Sequence, residues 1–223
     1  CSERSMSTPL TVPEVVTAYL ALVRRRNPKI ELRAKEDSKL MKLIGFFVKP
    51  FNPEFNIRYT TTIGSTIWMP SQVAATLPEE YFLEVVTHEC QHILDDNQNP
   101  VLFKLSYLFP QVLALLSLLA IFAILWPMWI LWLACLLFLS PLPAYWRYKW
   151  ELNGYRTSIL FNRYYNRNPE RTKARIAEQI TGPSYYFAWP FKTWVLDDLK
   201  DEKFMEEPRY KEITAFLNSW YGR

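Results

Sequence analysis

A chain of 223 residues, half of them hydrophobic, with 9 Trp, 13 Tyr, 14 Phe and only 5 Gly, suits one domain, or one domain with an attached element. This composition excludes a disordered, collagen-like or low-complexity protein, and a net charge of +4 is too small to point to nucleic acid. The near-zero mean hydropathy averages two materials: residues 105–146 are 42 consecutive positions without Asp, Glu, Lys or Arg, and all 48 charged residues fall in the other 181. Three scattered cysteines, Cys1, Cys90 and Cys135, indicate no disulfide framework. The first residues carry no secretory-signal pattern, and Met6 rather than Cys1 reads as the natural start.

In chain order, residues 12–26 read as a helix. Thr11 and Glu14 form a capping-box pattern, Pro13 falls in the first turn, and Val12, Val16, Tyr19, Leu20 and Val23 make an apolar stripe. Arg24, Arg25 and Arg26 then suit the negative end of the helix dipole. Ile30, Leu32 and Ala34 alternate with charged residues as in a half-buried strand, and residues 38–48 are open between helix and strand. Residues 55–62 and 65–69, rich in β-branched and aromatic side chains, read as two antiparallel strands on either side of Ile63 and Gly64, with Pro70 ending the second. Thr76-Leu77-Pro78-Glu79 repeats the capping-box signature and opens a helix to about Asp96. After the apolar run, one helix passes through Trp150 and Tyr155 and ends near Asn168-Pro169. A charged helix then covers 170–180, and an aromatic tail closes in a helix over 208–220.

Crossing about 30 Å of hydrocarbon takes about 20 helical residues, so the uncharged run suits two passes. Pro127 lies near its middle. Trp126, Trp129 and Trp132 cluster at the turn, while Tyr107, Tyr145, Trp146 and Tyr148 mark the ends, where amphipathic rings favour a bilayer interface. The expectation is a two-helix hairpin, spanning or re-entrant, that returns the chain to its starting side. Lys104, Arg147, Lys149 and Arg156 flank it, so the positive-inside bias places the soluble parts on the cytoplasmic side of an integral membrane protein. Between Arg147 and Arg175 eight Lys or Arg face two acids, a pattern suited to anionic lipid.

Only two histidines exist, and both fall in His88-Glu89-Cys90-Gln91-His92 on an expected helix. Residues four apart share a helical face, so both imidazoles can reach one ion, with Glu89 beside them to activate water. A catalytic zinc needs three protein ligands and an open position. With no third histidine, a carboxylate must complete the set. Asp95 and Asp96 suit second-shell support of an imidazole, because a further ligand on the same straight helix would crowd the ion. Glu151, on the helix that leaves the apolar run and beside Gly154, is the better third ligand.

The order of this pentapeptide, two membrane segments and then a glutamate resembles the gluzincin zinc metallopeptidases, and within them the Ste24/HtpX family of integral membrane peptidases, over about residues 55–155. The family's Asp four residues after the ligand Glu is Tyr155 here. The resemblance implies an α+β fold: a small zincin-like antiparallel sheet plus an active-site helix, an inserted two-helix membrane hairpin and a helical C-terminal part. It divides the chain into residues 1–104 and 147–223, the two halves of a catalytic domain, around the hairpin at 105–146. It further implies one Zn²⁺ per chain on His88, His92 and Glu151, with Glu89 as general base and Tyr155 or Arg156 stabilising the oxyanion. An extended peptide or protein substrate would pair with the strand Ser65, Thr66, Ile67, Trp68 and Met69. The implied activity is a membrane-anchored endopeptidase acting on unfolded segments, with the lipid bilayer as the other partner and no nucleic acid. The competing reading is a membrane-anchored pseudo-protease or assembly protein that keeps a metal site.

Overall fold

The computed structural model describes residues 10–49, 52–114, 116–117, 133–139, 142–185 and 188–222. Among these, the elements are α1 (Glu14–Arg24), β1 (Glu31–Ala34), α2 (Lys39–Val48), α3 (Phe55–Arg58), β2 (Thr61–Ile63), β3 (Thr66–Met69), α4 (Ser71–Thr76) and α5 (Glu79–Gln98). There follow α6 (Pro100–Leu108), α7 (Tyr145–Tyr164), α8 (Pro169–Thr181), α9 (Lys192–Lys200) and α10 (Pro208–Tyr221). The fold is mostly helical with one small sheet. Two compact units divide the chain: Cys1–Leu94 with Glu207–Arg223, and Asp95–Glu206.

In the first unit, α1 buries Val15, Val16, Tyr19, Leu20 and Val23, and turns Glu14, Thr17, Ala21 and Arg24 outward. Burying each such apolar side chain contributes about 1.5–3 kcal/mol. The capping box at Thr11 does not form, because Pro13 takes the N-cap position and offers no side-chain acceptor. α10 packs here too, with Phe216 edge-on to Tyr19 at 5.3 Å between ring centroids. The open stretch at 38–48 is helical because Ser38 caps it, its hydroxyl accepting from the Met41 N–H.

The sheet is mixed rather than antiparallel. β3 is its middle strand, parallel to β1 with Leu32 opposite Ile67, and antiparallel to β2 with Thr62 opposite Ile67. The chain between β1 and β3 carries α2, α3 and β2, which gives it the length a parallel return requires. Gly64, at φ 59°, makes the tight turn from β2 into β3. The expected strand at 55–62 is mostly not a strand. Lys35 is buried, and its ammonium donates to Phe55 O, Tyr59 O and Thr61 Oγ1, each at 2.8 Å. Those three bonds curl the segment around one cation, and only residues 61–63 remain extended. Gly45 of α2 allows the close approach of Asn56, whose side chain a Cβ there would overlap.

α5 begins at Glu79, but Thr76 does not cap it; that hydroxyl donates back to Gln72 O within α4. Phe82, Leu83, Val86, Cys90 and Ile93 form its apolar side, all fully buried.

The second unit is helical. α7 buries most of its length, and α8 starts on Asn168, whose side chain accepts from the Glu170 and Arg171 N–H groups. α9, inside the expected aromatic tail, buries Val195 and Leu199. Most of the expected hairpin lies outside the described residues, including 118–132. Among the described residues no helix is long and apolar enough to cross a membrane, so the hairpin is unsupported. Its first arm does not run on as one helix from Tyr107. α6 ends at Leu108 and Phe109 turns extended, because Pro110 disfavours a helical residue before it and brings no N–H. The two ends of the apolar run nevertheless meet. Trp150 Nε1 donates to Ser106 Oγ at 2.9 Å, and Arg147 donates to Tyr107 O and Gln111 Oε1 at 3.0 Å each.

Candidate metal centre

One helical turn separates His88 from His92 on α5, so their rings emerge on one face. Both are buried, and their Nε2 atoms lie 3.2 Å apart, with the rings at 78°. Two imidazole nitrogens bound at 2.0–2.1 Å around a tetrahedral ion would lie about 3.3–3.4 Å apart. The spacing of the pair therefore suits two ligands of one metal ion.

Glu89 is half-buried, and its Oε2 accepts a hydrogen bond from Thr62 Oγ1 at 2.7 Å. Thr62 sits on the edge strand β2, directly after the segment that Lys35 clamps. The lysine thus sets the position of the threonine, and the threonine sets that of the carboxylate. Burial pulls the Lys35 pKa down to about 8, against the opposing pull of the Glu89 charge. Cys90 belongs to the apolar side of the helix. Burial, reinforced by Glu89, pushes its thiol far above the normal range, which keeps it a neutral core residue rather than a ligand.

On α7, Glu151 is 2% exposed. Tyr107 OH donates to its Oε1 at 2.5 Å. Tyr155 follows one turn later on the same face, and its hydroxyl donates to that of Tyr185 at 2.7 Å. Burial, and next the Glu151 charge, raise the Tyr185 pKa well above 10, so its phenol stays protonated beside the carboxylate. Arg156 lies about 140° further round the helix from Glu151. It donates to Asn153 Oδ1 and lies over the Phe204 ring.

His88, His92 and Glu151 form a buried group that can hold a metal ion: each offers one ligand atom, and these atoms all lie within 4.8 Å of one another. Two imidazoles and a carboxylate are a donor set that suits zinc. Asp95 and Asp96 are both buried; Asp95 accepts from Asn153 Nδ2 at 3.3 Å, and Asp96 pairs with Lys104 at 3.5 Å.

The strand expected to receive substrate is occupied. Thr66, Ile67, Trp68 and Met69 pair with β1 on one side and β2 on the other, and Ser65 O accepts from the Glu31 N–H. Those backbone groups are already used, so an added strand cannot dock there. β2 is the open edge on the Glu89 side. Sequence reasoning missed Thr62, Lys35, Tyr107 and Tyr185. The sequence marks Tyr107 only as an interfacial ring, and nothing in it sets Lys35 apart from the other basic residues. No protein-family model, curated protein or solved structure matches this chain.

Proposed function

We propose that this chain is a membrane-anchored zinc endopeptidase of the gluzincin type, similar to a minimal or divergent Ste24/HtpX peptidase. The observation that carries the reading is the convergence of the His88 and His92 Nε2 atoms at 3.2 Å, in a buried group with Glu151. His88, His92 and Glu151 would hold one Zn²⁺. The ion supplies Lewis acidity, which polarises a carbonyl and acidifies water.

The chain's own residues do the rest. Glu89 takes a proton from the attacking water on the oxygen that Thr62 does not hold, then returns it to the leaving amine. Thr62 keeps that carboxylate in one orientation. Tyr107 donates to Glu151 Oε1 and would orient that carboxylate as a ligand. Tyr155 and Arg156 are the donors proposed for the oxyanion; Tyr155 lies on the Glu151 face of α7 but would have to turn away the one O–H it gives to Tyr185, whereas Arg156 has further N–H groups beyond the one it gives to Asn153. An extended peptide would pair along β2, the edge next to Glu89, rather than along β3. That mode selects unfolded segments near a membrane surface, with the soluble parts on the cytoplasmic side.

Purified protein should contain about one zinc per chain and cleave a casein-like substrate. Glu89→Gln should keep the zinc and lose at least about 100-fold in cleavage. Undiminished cleavage in that variant would overturn the mechanism. Zinc bound without any cleavage by the wild type would favour the metal-holding assembly protein instead.

A further inference from the structure

α1 and α2 are both amphipathic, but only α1 turns a polar face outward. α2 exposes Phe46 at 72%, Phe47 at 65%, Leu43 at 56% and Leu40 at 48%, while Met41 and Gly45 are buried. At about 100° per residue, those four apolar side chains share one outward arc of the helix. Lys42 and Lys49 are exposed along one border of that arc, Lys39 is exposed within it at the N-terminal end of the helix, and no acid lies between Ser38 and Lys49. Ile57 on α3 adds a further exposed apolar side chain, at 54%. An occupant of this face must therefore accept bulky apolar side chains and, beside and among them, three exposed lysines whose long stems let the ammonium groups reach past the apolar layer. A protein groove of ordinary composition offers the first, but its centre is depleted of charge. A bilayer with anionic headgroups offers both at the required depths, acyl chains below and phosphates above.

We propose that α2 is an interfacial anchor that seats the first unit on an anionic bilayer surface, with Leu40, Leu43, Phe46 and Phe47 among the acyl chains and the three lysines at the phosphates. It rests on α2 alone and stands whether or not residues 105–146 enter lipid, and whether or not the metal centre turns over.

The test must report on α2 locally, because an inserted hairpin would hold the whole chain on vesicles in any case. Full-length protein with Cys1→Ser and Cys135→Ser, carrying an environment-sensitive fluorophore on Leu43→Cys, would be mixed with vesicles of phosphatidylcholine alone or with phosphatidylserine added. A second label on Thr17→Cys, on the polar face of α1, is the control. With anionic vesicles the label at 43 should blue-shift, lose access to iodide and be quenched by nitroxide lipid, while the label at 17 stays accessible. Phe46→Ser with Phe47→Ser should lower this lipid contact at least about tenfold, and each Lys→Gln change at 39, 42 or 49 about fivefold. Full iodide access at position 43 on anionic vesicles would overturn the proposal. Equal contact with neutral vesicles would overturn it as well, as would protection in solution without lipid, which would mean that a second copy covers the face.

Discussion

The first unit presents its two histidines through helix geometry alone: a spacing of four on α5 brings two ring nitrogens to 3.2 Å. In the second unit Glu151 is held instead by a partner from a distant stretch of chain, the Tyr107 hydroxyl 44 residues away. The contrast shows which side-chain arrangements a short motif can encode. Imidazoles a turn apart need only a helix, whereas a carboxylate buried to 2% needs donors that only packing can bring.

This contrast can be broken experimentally, and the ligands should give the largest effect. On the proposed reading, His92→Ala should lower zinc affinity by about 100–1000-fold, and Glu151→Gln somewhat less, both measured by competition with a chelator. Unchanged affinity in Glu151→Gln would remove the carboxylate from the ligand set. Tyr107→Phe should come next, weakening zinc by about 10–100-fold, because the carboxylate loses the donor that orients it. Tyr155→Phe should cost less, since that hydroxyl donates to Tyr185.

In the first unit, Thr62→Val should leave zinc binding intact and lower kcat about tenfold, with KM little changed, because only the orientation of Glu89 is lost. A loss of zinc in that variant would show that Thr62 supports the fold of the site instead. The smallest effect concerns pH. Burial depresses the folded pKa of Lys35 to about 8 from an unfolded 10.5, so between these values the unfolded chain binds more protons. Below about pH 8 the cost of burying the charged form is fully present; as pH rises from 8 to 10.5 it is relieved. Chemical denaturation over that window should show this rise in the wild type. Lys35→Met should flatten it, and a parallel rise in the variant would assign it to another group.

α1 was legible because its apolar spacing repeats over three turns, and periodicity is a local signal; α5, α8 and α10 were placed in the sequence from capping, charge and Pro or Gly punctuation, which are local signals too. β1 was legible from its alternation, but not its parallel pairing with β3, since strand order depends on the path of the chain between. The segment at 55–62 misled for a comparable reason. Its β-forming side chains are overridden by three hydrogen bonds to a lysine some twenty residues upstream, which no window of sequence contains.

The sequence by itself determined that two imidazoles and a glutamate share one helix, and that charge is excluded from residues 105–146. Both follow from the repeat of a helix and from side-chain chemistry, which each residue carries with it. The tertiary structure alone decided that β3 is closed on both edges, that Thr62 holds Glu89, and that the Tyr107 hydroxyl binds Glu151. Those are matters of which distant groups satisfy a buried polar atom, and that choice is made only when the chain packs.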